Sequence, residues 1–397
     1  MAALELPPGR APTRSVSQQP RQPRQPQQPR QPSTGRWQRP ASLALGIALW
    51  RRARCIARGG RGEVADVLAD AAELQEAPAA PGFGRVRYAY PWSSVQAHAF
   101  EPAKQHHFID GLRAGYFFML HVIAFACGPS TFSYPALACC VFLFVLLQTL
   151  GISLSYHRHL THRSFECHKY FEYFIAWCGV LNMQGNPVWW AMNHAWHHQH
   201  SDTPRDPHTP REGLWTAHAG WFFEKERILS KMPEAIVAAH NSSSSQDSQS
   251  SDWRLIPWFY KESPDFYDWL RQSYYLHQIF QVVFLYALGG WGFVVWGFVV
   301  RLLLGIHCVS AVNSFAHVWG EQPWRTGDDS KNNFLVAMVS SGEGWHNNHH
   351  AFPRSARHGL LEGQFDLTYA LIQLLEKLGV VWRVQLPSDA QLRAKSR

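Results

Sequence analysis

Residues 114–156 form a run of 43 positions without Asp, Glu, Lys or Arg. That is room for two apolar helices of about 20 residues, the length needed to cross a hydrocarbon core of about 30 Å. Gly128-Pro129 and Tyr134-Pro135 supply the break between them. Residues 272–300 repeat the pattern, and after a lone Arg301 the run continues to Gly320, with Gly289-Gly290 as its break. The core helix of a soluble protein can imitate one such run, but two runs of hairpin length read as four membrane helices in two hairpins, an all-α fold.

Charge sets the expected topology. Residues 157–271 carry 11 Lys and Arg, whereas the hairpin tips near 128–134 and 288–292 carry none, so the central segment belongs on the positive, cytosol-like side. Each hairpin returns the chain to that side, which brings together the residues after span two, the central segment and the residues after span four. The apolar stretch 171–183 is too short to span and suits a helix lying in the interface. The 18 Trp fit interfacial belts.

Histidine spacing supplies the chemistry. His157-x4-His162, His194-x2-His197-His198, Asn313-x3-His317 and His346-x2-His349-His350 all flank the inferred spans on that one side. H-x-x-H-H places three imidazoles on one helical face, a ready-made metal claw. His157 and His162 stand about 140° apart on an ideal α-helix, so that helix is expected to end or unwind there. Of 22 histidines, 17 lie between His157 and His350, and nine occupy these positions. Imidazole suits iron, zinc, copper and nickel. Nine such donors exceed one tetrahedral site and imply two ions. Glu-x-x-His repeats of the soluble di-iron bundles do not occur.

The domain organisation reads as follows. Residues 1–62 form an Arg-rich leader: 7–62 hold 12 Arg and no acid, with Arg-Gln-Pro recurring at 21–23, 24–26 and 30–32. Such a segment builds no core. It has the composition of a plastid or mitochondrial transit peptide, and is read as that rather than as a nucleic-acid-binding arm. Residues 63–95 are a linker, 96–390 the membrane domain, and 240–252 a Ser-rich loop insertion. Seven scattered cysteines without a C-x-x-C pair argue against a disulfide framework.

The motifs His157-Arg-His-Leu-Thr-His162, His194-Ala-Trp-His197-His198, Asn313-Ser-Phe-Ala-His317 and Gly344-Trp-His346-Asn-Asn-His349-His350 resemble those of the membrane fatty-acid desaturases of the delta-9 type. The likeness covers roughly residues 88–390, and the segment after Ala351 looks most like the plant, algal and cyanobacterial branch, with its acyl-lipid and acyl-CoA enzymes. The resemblance implies four membrane helices and a helical cap holding two irons. His157, His162, His194, His197, His198, His317, His346, His349 and His350 would be the ligands, and Asn313 would act through a bound water. His159, His168, His200, His208 and His218 fall outside that set as supporting groups. Ligand imidazoles donate their second N–H to a carboxylate, so Asp202, Asp206 and Glu343 are orienting candidates.

The implied reaction is O2-dependent desaturation of a C16 or C18 acyl chain, of delta-9 type or delta-7 on a plastid galactolipid. An unactivated C–H bond offers acids and bases nothing to act on, so the irons must supply the oxidant. The chain's methylenes would lie in an apolar tunnel, and stepping back by four from His157 along span two reaches Thr149, Val145 and Val141 as tunnel residues, with Val145 and Val141 expected to help set its floor. Position 195 is Ala where many relatives carry Arg, which favours a lipid-bound chain over acyl-CoA unless Arg158 or Arg211 compensates. No His-Pro-Gly-Gly stretch marks a fused cytochrome b5, so electrons come from a separate donor, ferredoxin in a chloroplast or cytochrome b5 in the endoplasmic reticulum. An acyl-CoA delta-9 desaturase of the endoplasmic reticulum and a membrane fatty-acyl hydroxylase are the alternatives. A metal transporter would want polar ligands inside the spans, which hold few.

Overall fold

The computed structural model describes residues 110–232 and 256–397. The leader, the linker and the Ser-rich insertion lie outside these residues. Helix α1 (Gly111–Cys127) starts where the Asp110 carboxylate accepts from the Leu112 and Arg113 amides. After a turn, Ser133 caps α2 (Tyr134–Leu147) in the same way. Then come α3 (Lys169–Val180), α4 (Pro187–His200), α5 (Pro264–Gln272), α6 (Tyr274–Val294) and α7 (Arg301–Val318). The C-terminal part adds α8 (Phe334–Val339), α9 (His346–Ala351), α10 (Leu367–Lys377) and α11 (Asp389–Lys395). The helical expectation has one small exception: β1 (Glu166–Cys167) pairs antiparallel with β2 (Val381–Trp382). This pins the C-terminal segment beside the end of α2's continuation, where the Gln385 amide donates to the Ser164 carbonyl at 2.7 Å.

Two helical segments, Tyr134–Thr161 with 28 residues and Tyr274–Val318 with 45, are long and apolar enough to cross a membrane; Gly111–Cys127 is a shorter apolar helix. The 45-residue segment is not one rod. Gly289 and Gly290 leave helical geometry, Gly290 at φ 65°, where a side chain would be strained. Across that break Arg301 donates to the Gln281 side chain at 2.8 Å, and a Cβ on Gly297 would sit 3.2 Å from Leu285. These pairs are symmetric about residue 291, so the chain folds back on itself there. The Trp296 indole donates to the Gly128 carbonyl, which puts this tip beside the turn after α1.

α2 continues without a break as a π-helical stretch, Gln148–Thr161. Every residue from Gln148 to Thr161 is buried except Leu150. Gly151 makes the packing against α3 possible, because a Cβ there would stand 2.5 Å from the Cys178 carbonyl oxygen. In a π-helix i and i+5 face the same way, and the His162 amide bonds the His157 carbonyl at 3.1 Å. The unwinding expected from the His157/His162 spacing is therefore a widening of the helix, which ends at His162.

Candidate metal centre

Four elements deliver the nine box histidines to one end of the helices. His157 and His162 come from the π-helical end, His194, His197 and His198 from α4, His317 from the last turn of α7, and His346, His349 and His350 from α9. Asn186 starts α4 by accepting from the Trp189 amide, with Pro187 in the first turn. The ring nitrogens converge into two groups, each with its atoms within 4.8 Å of one another: His157, His162, His194, His198 and His349, and separately His197, His317, His346 and His350. The claws are thus not one per ion. Each H-x-x-H-H divides two to one, His194 and His198 opposite His197, and His346 and His350 opposite His349, so α4 and α9 each serve both groups.

In the first group Nε2–Nε2 separations are 2.9 Å for His157 and His349, 3.1 Å for His194 and His162, 3.1 Å for His198 and His194, and 2.8 Å for His349 and His198. In the second they are 3.0 Å for His346 and His317 and 3.1 Å for His350 and His346, while the buried His197 Nε2 has no hydrogen-bond partner. Carboxylates hold the opposite nitrogen. His157 Nδ1 lies 2.5 Å from Glu343, His197 Nδ1 3.0 Å from Asp206, His317 Nδ1 2.9 Å from Asp202 and His350 Nδ1 2.8 Å from Asp328. A carboxylate fixes the proton on Nδ1 and leaves Nε2 as a bare lone pair. Lone pairs aimed at one another from several rings repel unless a cation lies among them, so the donor set fits two borderline metal ions.

Electrostatics agree with that reading. Burial, then the neighbouring imidazoles, push His162, His194, His198, His346, His349 and His350 well below the ordinary histidine value, which keeps them neutral and able to ligate. Burial also opposes charge on His197, but Asp206 outweighs it and raises that group. The carboxylates are buried too, yet His317 lowers Asp202, His197 lowers Asp206, and His157 with His358 lowers Glu343.

The three orienting candidates therefore all touch box histidines. Sequence reasoning missed Asp328, which arrives on the loop between α7 and α8 and is itself held by Thr326 and Ser330. It also missed His358, which is fully buried, 4.5 Å ring to ring from His349 and 3.1 Å from Glu343. Glu343 is the hub, since Ser153 and Arg158 also bond it. Of the supporting histidines, His159 bonds Glu172, His208 stacks on His197 at 4.4 Å, His200 packs on Trp196, and His168 lies against Trp382. His218 bonds Ser314 instead.

A cavity of about 620 Å³ reaches the first group, lined by Tyr116, Trp189, Trp190, Val309 and Asn313 and ending at His194. Asn313 thus faces this cavity one turn before His317. The expected tunnel residues are elsewhere: Val141 and Val145 are 51% and 42% exposed, and Thr149 is buried with its hydroxyl 2.9 Å from that of Ser341. None of the three lines the cavity. Nor do the arginines expected to compensate for Ala195. Arg158 is buried between Glu343 and Asp366, and Arg211 pairs with Asp329 at the surface. The cavity's arginines are Arg113 and Arg271.

Comparison with known proteins agrees with this arrangement. The fatty acid desaturase family model matches residues 132–363. An acyl-CoA C20 delta-5 desaturase of Anemone leveillei is 42% identical over 277 residues, 70% of this chain and 82% of that protein. The chloroplastic palmitoyl-monogalactosyldiacylglycerol delta-7 desaturase of Arabidopsis thaliana is 41% identical over 263 residues, 66% of each chain. The sn-1 stearoyl-lipid 9-desaturase of Anabaena variabilis is 40% identical over 286 residues, 71% of this chain and 96% of that one. With the family model covering more than half of the chain and its histidine boxes gathered around one end of the helices, this protein belongs to the fatty acid desaturase family and is an oxidoreductase that desaturates fatty acyl chains.

Proposed function

We propose that the chain is a four-span integral membrane protein of the chloroplast that desaturates C16 or C18 chains on a membrane lipid, delta-9 or delta-7, with two irons, O2 and electrons from ferredoxin. The observation that carries the metal assignment is the pair of converging Nε2 groups, each braced by carboxylates on Nδ1. Iron bound there supplies the oxidant that an unactivated C–H bond requires. The protein's own residues do the rest. Trp189, Trp190 and Val309 offer the acyl chain an apolar wall beside His194, along which its methylenes would lie. Glu343, Asp206, Asp202 and Asp328 hold the imidazoles in place.

The fold-back at Gly290 and the surface of the helices support the four-span reading. Val122, Phe125, Phe142, Ile279, Val283 and Leu288 are all exposed, a larger apolar belt than a water-soluble surface tolerates. The chloroplast assignment rests on the acid-poor leader and on the chloroplastic relative. A lipid-bound substrate fits Ala195 and the lipid-acting relatives, whereas the Anemone enzyme's name makes acyl-CoA the competitor.

The test is gas chromatography with mass spectrometry of separated lipid classes from cells that hold ferredoxin and plastid galactolipids and express the full chain. A new mono-unsaturated C16 or C18 chain on a lipid, lost in His349→Ala, is expected. Enrichment in the acyl-CoA pool overturns the lipid substrate, and a hydroxylated chain overturns the reaction.

A further inference from the structure

Three histidines that belong to neither metal group stand in file. His121 on α1 places Nδ1 2.8 Å from the Phe117 carbonyl and Nε2 3.0 Å from Nε2 of His307 on α7. His307 Nδ1 lies 3.0 Å from His218 Nε2, and His218 Nδ1 lies 2.9 Å from the Ser314 hydroxyl. Ser314 in turn donates to the Ser310 carbonyl at 2.7 Å. His307 meets its two neighbours through opposite ring nitrogens, so no single cation can be held by all three rings, and they do not form a metal claw. Phe117 packs on His121 and His307, and Phe315 stacks on His218. No carboxylate bonds any of the three among the described residues. Tyr116 and Arg113 on α1, and Tyr274, Tyr275 and Arg271, are the other titratable or charged groups lining the cavity that His218 enters, apart from His194 and His208.

The proton count is uneven. Five contacts join the Phe117 carbonyl, the three rings, Ser314 and the Ser310 carbonyl. Three neutral imidazoles and one hydroxyl bring one mobile proton each, four in all. Both ends are carbonyl oxygens, which only accept, so reversing the tautomers moves the deficit without removing it. One added proton satisfies every contact. In the neutral file the Ser314 hydroxyl turns to donate to His218 Nδ1; in the protonated file His218 donates to Ser314, which donates to Ser310.

Desaturation supplies a use for that proton. The acyl chain gives two hydrogens, the electron donor two electrons, and reduction of O2 to two waters then takes two protons from solvent. Groups buried among aromatic rings cannot draw these freely from bulk water. We propose that His121, His307 and His218 are a proton store that takes up one proton as a unit and releases it through His218 into the cavity. On release the His218 Nδ1–H swings from Ser314 to a cavity water: the N–H bond breaks, an O–H bond forms on that water, protons pass along a row of cavity waters to the oxygen being reduced, and the Ser314 hydroxyl turns back to Nδ1 as the file returns to neutral. Water entering the cavity between turnovers refills it. His307 lies ten residues before His317, on the order of 15 Å along α7, so the His121–His307 end of the file is away from the box histidines while His218 opens on the cavity.

This rests on the O2-dependent reading above, and its test separates the two. The full chain in lipid nanodiscs, with isotope-labelled histidine and diamagnetic zinc in the metal site, is followed by nitrogen NMR between about pH 4 and 9, a window that extends downward because burial lowers His218. The three rings are expected to report one shared protonation step, which splits or disappears in His307→Phe. In iron-loaded protein, His307→Phe is expected to keep its iron and its melting temperature, lose on the order of tenfold in turnover, and show a larger solvent deuterium isotope effect. His121→Phe, at the far end, repeats the measurement if His307→Phe does not fold. Rings that stay neutral throughout, or a folded variant with unchanged turnover and isotope effect, overturn the store. A wild-type protein that makes no alkene overturns the reaction while leaving the NMR result to stand or fall separately.

Discussion

Replacing Asp328 with Asn tests the carboxylate that the sequence did not disclose. Its Oδ1 accepts from Thr326 at 2.7 Å and from the Ser330 amide at 3.1 Å, and its Oδ2 holds His350 Nδ1 at 2.8 Å. Asn that keeps its carbonyl for the first two turns an N–H toward His350 Nδ1, and in the flipped orientation it gives His350 a neutral oxygen while its N–H faces the Ser330 amide. The loss is one charge-assisted hydrogen bond on the His350 imidazole, which the two-iron proposal makes a ligand, about 1.5–3 kcal/mol. That corresponds to roughly 10–100-fold in metal affinity, as for other carboxylates behind metal-bound histidines. Asp329→Asn is the control: its side chain is 42% exposed on Arg211, and its tie to Asp202 runs through the backbone amide, which the substitution spares. The assay is iron per chain after timed challenge with a chelator, read beside alkene formation. Asp328→Asn is expected to lose one iron first and Asp329→Asn to match wild type within about 0.5 kcal/mol. Equal iron retention by both variants would refute the idea that Asp328 holds the second group in place.

Val309→Trp, on the cavity wall, is expected to shift products toward shorter chains, whereas Val145→Trp, on the exposed face, leaves the product profile unchanged; fatty-acid analysis of both variants checks this. Arg301→Met takes the guanidinium donor from the Gln281 amide oxygen and one of two donors from the Leu181 carbonyl, which keeps Gln281 Nε2, so a fall in stability of about 1–3 kcal/mol is expected in a thermal melt. Asp202, Asp206 and Glu343 have folded-state values below their unfolded ones. Their stabilisation is therefore fully present above the ordinary carboxylate value of about 4 and is lost as pH falls below it, so melts of metal-free protein should be flat with respect to these groups from about pH 5 to 7 and drop steeply under 4.

The histidine boxes were legible because ligand spacing on a helix is a local property, and the Gly289-Gly290 break because two glycines interrupt an otherwise charge-free run. Asp202, Asp206 and Glu343 could be named because carboxylates near a box are the usual partners of ligand imidazoles, an expectation that a histidine such as His358, eight residues past its box as Asp206 is, does not carry. Asp328 could not, since it lies eighteen residues before its nearest C-terminal box and reaches His350 through the loop between α7 and α8. The division of each H-x-x-H-H between two groups depends on how α4 and α9 cross, which spacing within one helix does not encode. The tunnel misplacement has a specific cause. Steps of four drift by about 40° each on an α-helix, so Val145 and Val141, twelve and sixteen residues before His157, do not share its face there, and the π-helical turn over residues 148–161 changes the phase again. Nothing in the composition of that stretch announces the widening apart from the five-residue separation of His157 and His162.

The most direct measurement is the anomalous signal of iron in the full chain loaded with that metal. The account expects two peaks, one bound by Nε2 of His157, His162, His194, His198 and His349 and one by Nε2 of His197, His317, His346 and His350. A single peak, or iron held outside these two sets, would contradict it.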